Sequence, residues 1–328
     1  MGIDKRSGPP ELCIVVPCYN EEEVLPEAQS RLLNELSALV ADGLVNNASH
    51  ILFVDDGSKD QTWSLIENAS RTEPQVRGLK LSRNRGHQTA VLAGLLEGQG
   101  DIFISIDADL QDDITAIRQM VISHIEDGTD VVYGVRAGRS SDTAFKRFTA
   151  EGYYRLLSAL GVEIVFNHAD YRLMSQRAIS ALGEYREVHL FLRGLVPLIG
   201  FKTATIEYDR SERFAGESKY PLRKMLSLAW EGVTSFSAKP LRIISIAGIV
   251  ISMLAFLGAL AAIWASLTGG TVEGWASLVV AVAILGGIQL LAIGLIGEYL
   301  GKIYNEVKAR PRYFVDKIVG DESQTLDD

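Results

Sequence analysis

Residues 12–22 read LCIVVPCYNEE, an apolar run that ends in a cluster of polar residues. Further apolar runs follow along the first 135 residues of the chain. They are HILFVDD at 50–56, VRGLKLS at 76–82, DIFISIDAD at 101–109 and DVVYGV at 130–135. Short apolar runs bounded by turn residues predict buried β-strands.

Helical patterns separate these runs. Apolar residues recur three and four positions apart in the segments 22–42, 60–72, 87–98 and 114–127, which is the spacing of one face of an α-helix. Strands that alternate with helices are joined by right-handed crossovers and form a mostly parallel sheet with helices on both faces. The sequence therefore predicts an α/β fold.

Four polar clusters fall at one predicted edge of this sheet. They are PCYNEE after the first strand, DDGSKD after the second, SRNRGH after the third and DADLQD at the end of the fourth. One such cluster is ordinary turn chemistry. Four at the carboxyl ends of parallel strands, where such sheets bind ligands, predict a binding site.

The fourth cluster contains Asp107 and Asp109. In an extended segment, residues two apart point to the same side, so both carboxylates can face one cation. Oxygen ligands suit Mg²⁺ or Mn²⁺, and Gln111 can add an amide oxygen. The alternative is an Asp pair that only caps the helix expected from Ile114.

Composition and missing motifs exclude several classes of protein. The net charge is -9, whereas a dedicated nucleic-acid-binding surface needs a basic excess. No G-x-G-x-x-G follows the first strand and no G-x-x-x-x-G-K-[ST] occurs, which argues against nicotinamide dehydrogenases and P-loop NTPases. Cys13 and Cys18 point to opposite faces of one predicted strand, so they cannot form a disulfide with each other.

Two uncharged segments, 243–267 and 275–296, are each long enough to cross a bilayer as a helix. Lys239 and Arg242 precede the first segment, and Lys302 and Lys308 follow the second. By the positive-inside rule, both flanks are cytoplasmic and the hairpin tip is outside. The alternative is a pair of buried helices in a soluble core.

Four parts are therefore expected along the chain. They are a cytosolic domain at 1–221, a juxtamembrane amphipathic helix at 222–240, two transmembrane helices within 241–300, and a cytosolic tail at 301–328. The juxtamembrane helix suits the membrane interface or a face of the soluble domain equally well. No signal-peptide core precedes the first strand, so no cleaved signal is expected.

The motifs IVVPCYNEE, VDDGSKDQT, LSRNRGHQTAVLAG and IDADLQD resemble those of family 2 inverting glycosyltransferases of the GT-A fold. The stretches NHADYRLMSQRA and DRSERFAGESKYPL, with the hairpin and GEYLGKIYNEVKARPRY after it, look like the polyprenyl-phosphate glycosyltransferases. The bactoprenol (undecaprenyl-phosphate) glucosyltransferases are most similar, and dolichol-phosphate mannose synthase is related. Departures are the segment 184–193 and Asp113, where that family often has Pro.

The resemblance implies four groups of site residues. The nucleotide-sugar group is Pro17, Tyr19, Glu21, Asp55, Asp56 and Asp107. The group for the acceptor phosphate or the diphosphate is Arg136, Lys146, Arg213 and Lys219. The metal group is Asp107, Asp109 and Gln111, and the catalytic group is Asp170 with Arg172.

Each of these roles has a simpler alternative. Tyr19 could be an aromatic residue packed on the core, and the four cations could be solvated surface residues. Asp170 could be a loop residue that fixes only its own turn. The five histidines show no ligand spacing and are interpreted as structural or surface residues.

The resemblance implies a metal-dependent enzyme that transfers a hexose, glucose from UDP-glucose above all, to undecaprenyl or another polyprenyl phosphate. The reaction is expected at the cytoplasmic face of the plasma membrane, with a multi-pass protein and with Mg²⁺ or Mn²⁺. Alternatives are UDP-GlcNAc, GDP-mannose or a UDP-aminoarabinose derivative as donor, or a non-catalytic membrane scaffold. The resemblance also implies a homotetramer, and the small residues between Gly286 and Gly294 permit close helix contact.

Overall fold

The computed structural model describes residues 8–136, 168–187, 191–209, 239–268 and 274–320. The chain forms two compact units. The first comprises residues 1–154, 163–220 and 311–328, and the second comprises residues 155–162 and 221–310. The predicted juxtamembrane helix falls almost entirely outside the described residues.

The described part of the first unit is an α/β domain. Its strands are β1 (Leu12–Cys18), β2 (His50–Asp55), β3 (Val76–Leu81), β4 (Ile102–Ser105), β5 (Val131–Arg136), β6 (His168–Ser175), β7 (Thr203–Tyr208) and β8 (Val315–Val319). Its helices are α1 (Leu25–Ala41), α2 (Thr62–Thr72), α3 (His87–Glu97), α4 (Ala116–Asp127), α5 (Gln176–Gly183) and α6 (Leu192–Leu198).

The strands form one sheet in the order β7-β5-β6-β4-β1-β2-β3-β8. Strands β1 to β5 and β7 run in one direction, and β6 and β8 run against their neighbours. The predicted mostly parallel α/β sheet is therefore confirmed. All five predicted strands and all four predicted helices form, with ends shifted by a few residues.

The core lies on both faces of the central strands. Every residue of β1 and β2 is buried, which is expected of parallel strands covered by helices on both sides. Helix α1 turns Leu32, Leu36 and Leu39 towards the sheet. Each fully buried leucine contributes roughly 1.5–3 kcal/mol of hydrophobic stabilisation, which holds α1 against the sheet. The loop between β1 and α1 is therefore fixed at both ends.

The C-terminal segment predicted as a tail, 301–328, contains regular structure. Residues 301–307 continue a helix of the second unit, and Val315–Val319 form β8, which pairs antiparallel with β3. Beyond the strand pairing, the Ser82 N–H donates to the Phe314 carbonyl at 2.9 Å. The sequence around β8 is short and half polar, so its pattern alone did not distinguish an edge strand from a tail.

The second unit contains two long helices, α7 (Lys239–Leu267) and α8 (Trp275–Val307). Many large apolar side chains on them are exposed, such as Trp264 (73%) and Leu290 (72%). Among the described residues, Ile284–Val307 of α8 is the one segment long and apolar enough to cross a membrane, while the apolar part of α7 is the shorter Ile243–Gly258. Helix α8 continues past the predicted span end at residue 296, and a two-span hairpin stays a prediction.

Candidate active site

The loops after β1 and β2 are bonded to each other at the carboxyl edge of the sheet. The Asn20 N–H donates to Ser58 Oγ at 3.0 Å, and the Lys59 N–H donates to Asn20 Oδ1 at 2.9 Å. The Glu21 N–H donates to Thr62 Oγ1 at 2.8 Å. Because these bonds satisfy backbone groups that the turns leave unpaired, the two loops form one rigid wall of the site.

Asp56 and Gly57 attach the loop after β3 to this wall. Both carboxylate oxygens of Asp56 accept backbone N–H groups, from Arg85 at 2.6 Å and Gly86 at 2.8 Å. Gly57 has a φ of +69°, and a Cβ there would lie 2.6 Å from the Asn84 nitrogen. Only glycine allows both this backbone conformation and this close approach.

The loop after β4 carries the acidic pair, in a geometry that differs from the prediction. Strand β4 ends at Ser105, and Asp109 lies in a turn rather than in an extended segment. Asp109 Oδ1 accepts the Gln111 N–H at 3.2 Å. The N-cap residue of α4 is Thr115, whose own side chain makes no capping hydrogen bond, and in the turn before it Asp113 Oδ1 accepts from the Thr115 N–H at 2.9 Å. The acidic pair is therefore not the helix cap.

Asp107 lies in a strongly acidic environment. Burial raises its pKa, His87 opposes this rise, and the carboxylates of Asp112, Asp170 and Asp109 raise the pKa further, to about 6. A carboxylate whose proton affinity is raised by neighbouring carboxylates is also a favourable ligand for a divalent cation.

The oxygen atoms of Asp107, Asp109 and Gln111 could supply part of the coordination that such a cation needs. Carboxylate and amide oxygens are the ligands that Mg²⁺ and Mn²⁺ prefer. Among the described residues, no three His, Cys, Asp or Glu side chains surround one point. Asp107, Asp109 and Gln111 could therefore hold a cation only together with other ligands, such as phosphate oxygens, because Mg²⁺ sites combine few protein carboxylates with substrate phosphates.

His87 lies between the acidic pair and Asp170. Its Nε2 is 3.4 Å from Asp107 Oδ1 and 3.7 Å from Asp170 Oδ2. His87 is the first residue of α3, directly after the loop that Asp56 holds. The loops after β2, β3 and β4 therefore converge on this histidine.

Asp170 belongs to β6 and is held by two arginines. Because β6 runs antiparallel to β4 and Ser105 pairs with Arg172, the first residues of β6 lie at the site edge of the sheet. Arg172 Nη2 donates to Asp170 Oδ1 at 2.7 Å, and Arg193 donates to both carboxylate oxygens at 3.2 Å. Burial alone would raise the pKa of Asp170, but the guanidiniums of Arg172 and Arg193 outweigh it and hold this pKa well below its usual range. Asp170 is therefore ionised and a weak base.

A third group of contacts joins the acidic loop to the ends of β5 and β7. The Tyr208 hydroxyl donates to Asp112 Oδ1 at 2.5 Å, and Arg136 Nη2 approaches the same oxygen at 3.4 Å. Arg136 Nε also donates to the Tyr208 hydroxyl oxygen at 3.3 Å. The carboxyl ends of β5 and β7 are thus joined to the loop that carries Asp107 and Asp109.

The residues implied by the resemblance lie in different environments. Pro17, Asp55, Asp56 and Gln111 are buried, Tyr19 is 41% exposed, and Glu21, Asp107, Asp109 and Arg136 are half-buried. Asp170 is in a strand rather than in the loop of the simpler alternative. Arg172 is only 1% exposed, so its visible role is to position Asp170. Lys146, Arg213 and Lys219 lie outside the described residues.

Sequence reasoning missed two residues of this site, His87 and Arg193. His87, interpreted from sequence as structural or surface, contacts two of the proposed site carboxylates. Its position next to the SRNRG segment of the third polar cluster was a usable signal. Arg193 lies in the segment 184–193 that departed from the family pattern. Its pairing with Asp170 depends on the reversed direction of β6, which no local pattern shows.

Fold and site together define a mostly parallel α/β sheet with an acidic loop at its carboxyl edge, and comparison with known proteins identifies the family. The model of "Glycosyl transferase family 2" matches residues 13–183, just over half of the chain. The protein belongs to glycosyl transferase family 2. This family match and the mixed, mostly parallel sheet confirm the predicted GT-A type α/β fold.

Curated relatives extend the similarity to nearly the whole chain. The "Uncharacterized glycosyltransferase YkoT" of Bacillus subtilis is 51% identical over 95% of this chain and 93% of its own length. The "Prophage bactoprenol glucosyl transferase homolog" of Escherichia coli is 39% identical over 94% of this chain and 99% of its own length. Among solved structures, glucosyl-3-phosphoglycerate synthase from Mycobacterium tuberculosis aligns with a TM-score of 0.44 at 19% identity over 69% of this chain and 78% of that one.

Proposed function

We propose that this protein transfers a hexose, glucose from UDP-glucose in the first instance, to undecaprenyl or another polyprenyl phosphate at the cytoplasmic face of the plasma membrane. The observation that carries the proposal is the similarity, over more than nine tenths of both chains, to a relative named as a bactoprenol glucosyl transferase homologue. Bactoprenol is a polyprenol, which supports a polyprenyl phosphate acceptor.

The chemistry of the site supports a nucleoside diphosphate as leaving group. Departure of a diphosphate requires that the negative charge growing on it be neutralised, and Mg²⁺ or Mn²⁺ bound at this edge would supply that charge. Asp107 and Asp109 would hold the cation, with Gln111 in support. We assign the nucleotide to the group Pro17, Tyr19, Glu21, Asp55, Asp56 and Asp107.

A phosphate acceptor is consistent with the low pKa of Asp170, which makes this carboxylate a weak base. A phosphate monoester is largely ionised near neutral pH because its second pKa is about 6. It needs cationic guidance rather than deprotonation, and we assign this role to Arg136, Lys146, Arg213 and Lys219. A single in-line displacement by this phosphate would invert the anomeric centre, so an α-linked UDP-glucose would give a β-linked product.

The direct test uses purified full-length protein with undecaprenyl phosphate and a panel of UDP-glucose, UDP-GlcNAc, GDP-mannose and a UDP-aminoarabinose derivative. We expect nucleotide release with UDP-glucose, loss of that release in EDTA, and recovery with Mn²⁺ or Mg²⁺. Release with another donor alone would change the assigned hexose. Absence of transfer from every donor would leave the scaffold alternative, and an α-linked product would rule out the displacement mechanism.

The proposed membrane topology predicts a labelling pattern in cells. The variant Gly270→Cys lies in the predicted hairpin tip and should react with an impermeant thiol reagent added outside, whereas Ser323→Cys should not. Background labelling is expected to be low because Cys13 and Cys18 are 0% and 1% exposed. The reverse pattern would put the catalytic domain on the side that lacks nucleotide sugars and would contradict the proposed function.

A further inference from the structure

Arg193 combines a fixed orientation with an exposed surface. It lies at the second position of α6, and its Nε and Nη2 donate to Asp170 Oδ1 and Oδ2, each at 3.2 Å. Its side chain is 39% exposed, whereas that of Arg172 on the same carboxylate is 1% exposed. Of the two arginines that bind Asp170, Arg193 is the one that a ligand can reach.

Asp170 itself is enclosed. Its side chain is 10% exposed, and both carboxylate oxygens accept hydrogen bonds from arginine. Its carbonyl oxygen accepts from Ser105 Oγ at 2.5 Å, which fixes the backbone at the end of β4. A carboxylate held in this way is suited to orient a guanidinium rather than to move a proton.

Helix α6 is attached to the site by two further hydrogen bonds. The Leu192 N–H donates to Gln88 Oε1 at 3.0 Å, and Arg172 Nη1 donates to the Leu192 carbonyl at 3.3 Å. Gln88 follows His87, which lies 3.7 Å from Asp170 and 3.4 Å from Asp107. These contacts hold Arg193 in the same cluster as the acidic loop.

We propose that Arg193 binds a phosphate group of a substrate and that Asp170 is a positioning residue that holds the Arg193 guanidinium for this contact. The inference rests on the proposed function and adds a binding residue to it. Two of the five N–H donors of a guanidinium are enough to bind Asp170, and the 39% exposure of the Arg193 side chain lets a phosphate reach it. Because Asp170 already fixes its orientation, less side-chain entropy is lost on binding.

The protein contains a matched control pair. Arg177 binds Asp130 through the same two nitrogens, with its Nε 3.2 Å from Asp130 Oδ1 and its Nη2 on Oδ2. Its side chain is 58% exposed, and its guanidinium stacks on the ring of Phe201. Arg177 lies in α5, beyond the opposite end of β6 from Asp170, so its loss tests the same kind of ion pair outside the site.

The experiment compares Arg193→Ala and Arg193→Lys with Arg177→Ala and Arg177→Lys in the purified full-length protein. We expect Arg193→Ala to lower kcat/KM by about 100-fold, as loss of one charge-stabilising donor does in other enzymes, with only partial recovery in Arg193→Lys. The Arg177 variants should keep wild-type kinetics. In protein that stays folded, adding Asp170→Asn to Arg193→Ala should lower kcat/KM little further, since the carboxylate would no longer have an exposed guanidinium to position. The unfolding temperature is measured in parallel because Asp170→Asn also removes the carboxylate partner of the buried Arg172.

Two further measurements show whether Arg193 binds the diphosphate of the donor or the phosphate of the acceptor. If Arg193 binds the donor diphosphate, UDP titrated in the presence of Mn²⁺ should bind at least about 10-fold more weakly to Arg193→Ala. If it binds the acceptor phosphate, UDP binding should be unchanged and the KM for undecaprenyl phosphate should rise. If a folded Arg193→Ala variant kept the wild-type UDP affinity and the wild-type KM for undecaprenyl phosphate, the inference about Arg193 would be wrong. The proposed function would not be affected. A wild-type protein that neither transfers a hexose nor binds UDP would remove the proposed function and the inference together.

Discussion

Replacing Asp107 or Asp109 by Asn should reduce glycosyl transfer by at least about 100-fold, because each change removes one of the two negative charges proposed to hold the cation beside the leaving group. The measurement is kcat with saturating donor and acceptor. The fold should survive the substitution. Burial and, after it, the neighbouring carboxylates raise the pKa of Asp107 and so disfavour its ionisation. A neutral amide there relieves both effects and should leave the unfolding temperature at neutral pH unchanged or higher.

Asp113→Asn is the control for this experiment. Asp113 belongs to the same acidic stretch, but its side chain accepts hydrogen bonds from the N–H and the hydroxyl of Thr115. The Oδ1 atom of Asn can accept the same hydrogen bonds, so near wild-type activity is expected. More than a tenth of wild-type turnover in Asp107→Asn or Asp109→Asn would count strongly against the metal assignment, as would an equal loss in Asp113→Asn.

The first half of the sheet was predictable because its information is local. Each strand from β1 to β5 is a short run rich in apolar residues. Helices α1, α2 and α4 each bury one face, whereas α3 is buried at six consecutive residues, 90–95. The polar clusters at the strand ends likewise identified the wall formed by the loops around Asn20, Ser58 and Arg85. The local sequence pattern was enough here to predict where these clusters lie in the fold, because successive parallel strands bring their carboxyl ends to one edge of the sheet.

The rest of the site depends on contacts between distant segments. His87 and Asp170 are separated by many residues in the sequence, yet they are 3.7 Å apart because β6 inserts antiparallel between β4 and β5. The insertion also determines which charges surround Asp170. The family resemblance implied a catalytic role for Asp170, and the structure adds that its carboxylate is paired with two arginines. The charges around Asp170 and the direction of β6 decide what this aspartate can do, and the local sequence motif shows neither.

Gly57→Ala should disrupt the contact between the loops after β2 and β3, which we propose to lie at the nucleotide site. A side chain at a φ of +69° is strained by about 1–2 kcal/mol. In addition, its Cβ would lie 2.6 Å from the Asn84 nitrogen and 2.8 Å from the Arg83 carbonyl carbon. Because both are backbone atoms, the loop after β3 must move, and overpacking of this kind costs about 1–3 kcal/mol more. That loop leads to His87, so we expect UDP affinity, measured by titration, to fall at least about 10-fold, the equivalent of ~1.4 kcal/mol.

Gly43→Ala separates the two causes. Gly43 has nearly the same φ, +70°, but no atom lies within 4 Å of the position that a Cβ would occupy there. This variant should therefore show only the backbone strain, as a small loss of unfolding free energy, with UDP affinity unchanged. If Gly57→Ala lost no more stability than Gly43→Ala and bound UDP normally, the close approach of the loops after β2 and β3 would not matter for the site. If the close contact between the loops after β2 and β3 matters for the site, Gly57→Ala should lose more unfolding free energy than Gly43→Ala and should also bind UDP more weakly.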